Sequence, residues 1–190
     1  MFISGGGRSP LETKFCGLGG PGLALTDGAV IAGYASLFGS VDQGGDVVQK
    51  GAYGASLSRL AKAGSGVKML WQHDPTRPIG VWDEVREDAK GLWVKGRLLL
   101  EVQAAREAHI LLQAGAIDGL SIGYRTIRSE KATAGQRLLH EIELWEVSLV
   151  TFPMLPEARV QADPSDDDDL EADLARTLAD SFREARELLA

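Results

Sequence analysis

The 190-residue sequence holds a single cysteine, Cys16, which excludes a disulfide within the chain and any dependence on an oxidising compartment. Cys16 lies among glycines with no strand or helix pattern around it, and it reads as an ordinary free thiol in preference to a nucleophile. A basic excess is missing too. Net charge is −7, which argues against a primary role in binding nucleic acid, because neutralising phosphates takes a clustered basic face. No apolar run approaches the ~20 residues of a membrane span. Residues 1–10 carry neither a basic region followed by an apolar one nor a small-residue cleavage site, so a cytosolic, membrane-free protein is expected. Three scattered histidines and one cysteine offer no zinc-ligand spacing, and neither metal nor cofactor is expected. What the chain does have is 44% hydrophobic residues, enough for one domain with a real core.

Three regions follow from the pattern. Residues 1–28 are glycine-rich and form a flexible lead, with at most one edge strand over residues 12–18. The foldable part is residues 29–160. Its β-branched and aromatic runs predict six strands, over residues 29–38, 67–72, 79–86, 92–100, 119–127 and 138–152. Two helices are predicted, one through Ala52, Leu57, Leu60 and Ala61 up to Gly64, the other over residues 101–114 up to Gly115. Without a strand–helix–strand rhythm, the fold class is mainly β with flanking helices (α+β), a small β-barrel or sandwich with helices packed outside. Residues 161–190 begin with the acidic run Asp166–Asp169. Leu170, Leu174, Leu178, Phe182, Ala185 and Leu189 then form one apolar stripe, so a C-terminal amphipathic helix is expected. It buries that stripe either on its own domain or on a partner.

His73 ends an apolar strand just before Asp74-Pro75, where the strand fixes the ring and the loop leaves it reachable for base catalysis. A histidine there can equally be structural. Ser121 lies in Gly119-Leu120-Ser121-Ile122-Gly123, whose glycines give a substrate carbonyl room beside backbone N–H donors. The same five residues match a nucleophile elbow, but that motif needs a strand–turn–helix setting and the order serine, acid, histidine. Here the serine opens a strand and the histidine precedes it. His109 reads as a helix histidine, and His140 begins the last long strand.

Five ordered blocks carry a resemblance. They are Gly33-Tyr34-Ala35-Ser36-Leu37-Phe38; Asp46-Val47-Val48 with Gly51-Ala52-Tyr53; Leu70-Trp71-Gln72-His73-Asp74-Pro75 with Ile79-Gly80; Gly119 to Tyr124; and Glu146-Val147-Ser148-Leu149-Val150-Thr151-Phe152-Pro153. Together they resemble the HK97-type phage prohead (capsid maturation) serine protease family, over roughly residues 30–160. The resemblance implies a closed barrel related to herpesvirus assemblin, with His73 as base and Ser121 as nucleophile. For the third member, His140, Glu141, Glu143 and Glu146 compete. If Glu130 faces Arg137 across a hairpin, Ser121 faces Glu146, and His140 lies about 20 Å further along the strand. Glu146 is therefore the expected acid, against the reading of it as a solvated strand residue. Arg125, on the same face as Ser121, is a candidate oxyanion donor or else a surface charge balancing Glu141 or Glu143.

What the resemblance implies for function is a serine endopeptidase that clears capsid or scaffold segments inside an assembling procapsid in the bacterial cytoplasm. Its implied partners are the major capsid protein as substrate and a second copy of itself. The competing expectations are a non-catalytic assembly protein on the same fold and an unrelated small esterase.

Overall fold

Alternation of buried and exposed side chains, strict in places and lost in others, decides how this chain pairs its strands. The computed structural model describes residues 29–132 and 135–161. The expected N-terminal lead, Cys16 and the expected C-terminal helix lie outside the described residues. In order come β1 (Val30–Leu37), β2 (Asp46–Val48), α1 (Gly54–Lys62), β3 (Lys68–Trp71), β4 (Asp74–Glu87), β5 (Gly91–Leu98), α2 (Gln103–Gln113), β6 (Gly119–Lys131), β7 (Arg137–Val150) and β8 (Val160–Gln161). Among the described residues eight strands replace the six expected. The two additions, β2 and β8, are three and two residues long, too short for a periodic signal.

The fold is mainly β, with two helices on a curled sheet ordered β2-β7-β3-β4-β5-β1-β8 and with β6 on β7. β7 is its organising strand. Along one edge it pairs antiparallel with β6 over nearly its whole length, while β2 and β3 share the other edge, both parallel to it. The gap left between β2 and β3 is covered by α1 and its lead-in. There the Ile142 N–H donates to Ala52 O (3.1 Å) and the buried Leu144 N–H to Ser56 Oγ (2.9 Å). Those contacts satisfy backbone groups that would otherwise be buried without partners. At the other end of the sheet β8 pairs with β1, and Gly119 of β6 bridges Arg159. Two backbone bonds of 2.8 Å flank that bridge, Leu120 N–H to Ala158 O and Val160 N–H to Asp118 O.

The core contains Ile31, Met69, Ile79, Val94, Leu120, Ile142, Leu144 and Leu149, all buried. Ala105, Ala108 and Leu112 bring α2 onto it. Each large aliphatic side chain buried this way contributes about 1.5–3 kcal/mol.

Two boundaries depart from expectation in ways that matter. β4 starts at Asp74 and not Ile79, so Asp74-Pro75 belongs to a strand whose first residues are exposed and irregularly paired. The β6–β7 register also differs: Ser121 faces Ser148, not Glu146. One residue of that difference arises at the hairpin end, where Lys131, not Glu130, pairs with Arg137. The other arises at Trp145, an extra residue in β7 between the pairs Gly123–Glu146 and Tyr124–Leu144. Irregularities at Ile127 and His140 offset each other.

Candidate active site

The turn between β3 and β4 is only two residues long, because Trp71 already pairs with Asp74. Gln72 and His73 both take positive φ, 54° and 61°, as a type I′ turn demands. Neither is glycine, and the left-handed conformation costs each about 1–2 kcal/mol. Contacts to the end of β7 offset that cost. The Gln72 N–H donates to Leu149 O (2.9 Å), the Gln72 amide Nε2 to Thr151 Oγ1 (2.8 Å), and the Thr151 N–H to Gln72 Oε1 (3.3 Å). The His73 N–H donates to Ser148 Oγ (3.2 Å). Strained non-glycine backbone held by neighbouring groups points to function. The turn is thus Gln72-His73 itself, one step before the Asp-Pro pair to which the sequence assigned it.

From this turn the imidazole lies against β7. His73 Nδ1 is 2.6 Å from Glu146 Oε1, and the two side chains are only 4% and 11% exposed. With the carboxylate accepting, Nδ1 carries the proton and donates. The other carboxylate oxygen, Oε2, accepts from the Ser148 hydroxyl at 2.5 Å. Ser148 is fully buried and stands two residues from Glu146, hence on the same face of β7. Glu146 reaches across to β6, where a Cβ at Gly123 would run into its Oε1 and stand 2.7 Å from its Cδ. Gly123 is therefore the residue that lets the carboxylate lie over the strand. Ser121, two residues before Gly123 and opposite Ser148, shares this face and is 3% exposed. Strand geometry sets it about 7 Å along β6 from Gly123.

The rival acids sit elsewhere. Glu143 pairs with Arg125 (2.5 Å), Glu141 lies 3.8 Å from Arg59, and His140 Nε2 is 3.5 Å from Glu130. Arg125 accordingly takes the charge-balancing place and not one beside Ser121. His109 is on α2. Sequence reasoning missed Ser148 and Gln72 as members of the site. Ser148 left a signal, since Glu146 and Ser148 are polar residues alternating with the apolar Val147 and Leu149.

Beside Ser121 is a small cleft of about 30 Å³, lined by the apolar Ala35, Leu37, Val48, Ile122 and Leu155 and by the polar Ser36, Ser40 and Asp42. Asp46 borders it. Its carboxylate is gripped by Arg137 through Nε (2.8 Å) and Nη2 (2.6 Å) and by the Tyr124 hydroxyl (3.0 Å). Burial first, and then the Asp46 charge, push the Tyr124 hydroxyl well above its ordinary value, so it remains a donor. No group of three or more metal-ligating side chains occurs among the described residues, and no described helix is long and apolar enough to cross a membrane.

Comparison with known proteins bears on this cluster. The family model described as caudovirus prohead serine protease matches residues 23–171. The prohead protease of Enterobacteria phage HK97 is 31% identical over 154 residues, covering 80% of this chain and 64% of that protein. This chain thus spans a little under two thirds of that relative's length. Among solved structures, the capsid assembly protease of bacteriophage T4 superposes with a TM-score of 0.56 at 13% identity, over 74% of this chain and 98% of that one. That likeness is one of fold. The protease of varicella-zoster virus gives a TM-score of 0.34 at 13% identity, over 60% of this chain and 56% of the other.

Proposed function

Since the chain belongs to the caudovirus prohead serine protease family, we propose that it is a serine endopeptidase of capsid maturation, with Ser121 as nucleophile, His73 as general base and Glu146 as the acid that orients the base. The observation that carries the reading is the buried contact of His73 Nδ1 with Glu146 Oε1, on the strand face that also bears Ser121. In the reaction, Ser121 Oγ attacks a peptide carbonyl while His73 Nε2 takes its proton, and the same nitrogen later protonates the leaving amine. Glu146 keeps Nδ1 protonated and stabilises the imidazolium as it forms.

The substrate would be the major capsid protein or its scaffold segment, met inside an assembling procapsid in the host cytoplasm. High local concentration there compensates for weak recognition. The same reading takes the curled sheet as a closed barrel, joined through the Gly119–Arg159 bridge. It takes residues 161–190 as a linker and helix for self-association or anchoring.

The test is co-expression of the chain with its major capsid protein, with and without Ser121→Ala. Processing of the capsid protein should fall by a factor of about 10⁴ or more in the variant. Processing that continues unchanged would sink the assignment. Shells that form normally but unprocessed with either chain would instead favour a non-catalytic assembly role.

A further inference from the structure

We infer that Ser148 is a positioning residue of this site, a hydroxyl that locks the Glu146 carboxylate and the His73 turn into one rigid unit; the inference rests on the triad reading above. A serine hydroxyl has one proton to give and lone pairs to accept with. In Ser148 both functions serve the triad. The proton goes to Glu146 Oε2 at 2.5 Å, and the oxygen accepts the backbone N–H of His73 at 3.2 Å.

Three features separate this from a serine that merely satisfies itself in a core. Its donor bond is to an ionisable side chain on the same face of β7, not to a nearby carbonyl. Its acceptor bond crosses to another element and holds the residue that bears the imidazole. And Ser148 is the register partner of Ser121 across the β6–β7 ladder, so a residue that contacts both the acid and the base stands opposite the nucleophile. The carboxylate has two oxygens, and each is committed: Oε1 to His73 and Oε2 to Ser148. Loss of the hydroxyl would free the carboxylate to rotate and would release one anchor of a strained turn. The imidazole would then lose its aim toward Ser121.

Ser148→Ala, Ser148→Cys and Ser148→Thr decide the matter in the full chain, with a fluorophosphonate as the probe of the activated serine. Misplacing a catalytic group by about 1 Å costs on the order of 100-fold, so labelling in Ser148→Ala should slow by about 10- to 100-fold. Ser148→Cys, close in volume but a weak donor, should behave like Ser148→Ala. Ser148→Thr, which keeps the hydroxyl, should label within about threefold of the parent chain. The low-field Nδ1 proton resonance of His73 should weaken or vanish in the Ala and Cys variants and persist in the Thr variant, a signature that simple loss of packing does not move. Melting temperatures establish which variants fold; if Ser148→Ala does not, the Cys and Thr variants carry the comparison. Equal labelling and an unchanged resonance in the Cys and Thr variants would overturn the inference. The triad reading has its own control: a Ser121→Ala chain that still labels refutes the nucleophile whatever Ser148 does. A dead Ser121→Ala beside a fully active Ser148→Ala refutes only the positioning role.

Discussion

A carboxylate withdrawn from water has to be paired, or it will take up a proton and lose its use. Glu146 meets that demand with His73 on one oxygen and Ser148 on the other, and only because Gly123 leaves its side of β6 bare. The glycine therefore carries a prediction of its own. In Gly123→Ala the new methyl must push the carboxylate away from the imidazole. Overpacking of this kind costs about 1–3 kcal/mol, a modest loss of melting temperature. The loss of fluorophosphonate labelling should be larger, about 100-fold. Normal labelling in a folded Gly123→Ala chain would show that the carboxylate is dispensable at that place. From the sequence, Ser121 stood out by its flanking glycines, His73 by its place at the end of an apolar strand, and Glu146 by the expected hairpin register. Gln72 did not. Its importance lies in a left-handed backbone and a clamp onto Thr151, neither of which residue type announces.

At the level of elements, the long strands and both helices were legible because period-2 and helical patterns run for eight residues or more. The β6–β7 register was not. It depends on Trp145, a bulge set by how the sheet curls and not by any pattern along β7. The expectation that Glu146 is the acid came from a register in which it faces Ser121. In the structure it approaches His73 from opposite Gly123 instead. The β4–β5 hairpin was legible, and its turn holds a titratable anchor. Asp88 Oδ1 accepts from the N–H groups of Lys90 (2.8 Å) and Gly91 (3.0 Å), while Oδ2 meets Tyr34 and Arg86. Partial burial alone would push its carboxyl up, but those donors together outweigh burial and hold it at about 2. A depressed carboxyl stabilises the fold fully above its unfolded value of about 3.9, and that contribution fades as pH falls toward 2. Asp88→Asn has no such contribution to lose. Urea unfolding of the two chains should show a stability gap that is wide at pH 5 and narrows between pH 4 and pH 2. A gap that stays constant across that range would mean that the carboxylate does not anchor the turn.

Across the whole molecule, the order of the sequence blocks pointed to the family, to a mainly β fold and, by resemblance, to a closed barrel. The proposed closure turns on residues 158–161, which pair with β1 on one side and meet the start of β6 on the other. The close approach depends on Gly33. A Cβ there would run into the Arg159 carbonyl oxygen and press on Leu120 Cδ1 at 3.1 Å. Arg159 is held in place by Asp118 and by the Pro156 carbonyl (2.7 Å), so the segment has little freedom to step aside. Gly33→Val should therefore detach it from β1 and loosen the link between β1 and β6. Ser121, two residues beyond Gly119, should lose part of its support. Two readouts follow: trypsin should cut after Arg159 faster by about tenfold or more, because local opening exposes that bond, and labelling of Ser121 should fall with it. Gly54→Ala serves as the control, since a methyl on that α1 residue meets nothing within 4 Å. It should leave both readouts unchanged. If Gly33→Val resists trypsin as the parent chain does and labels at the same rate, the sheet keeps its shape and its nucleophile without closure, and the barrel reading fails while the triad stands.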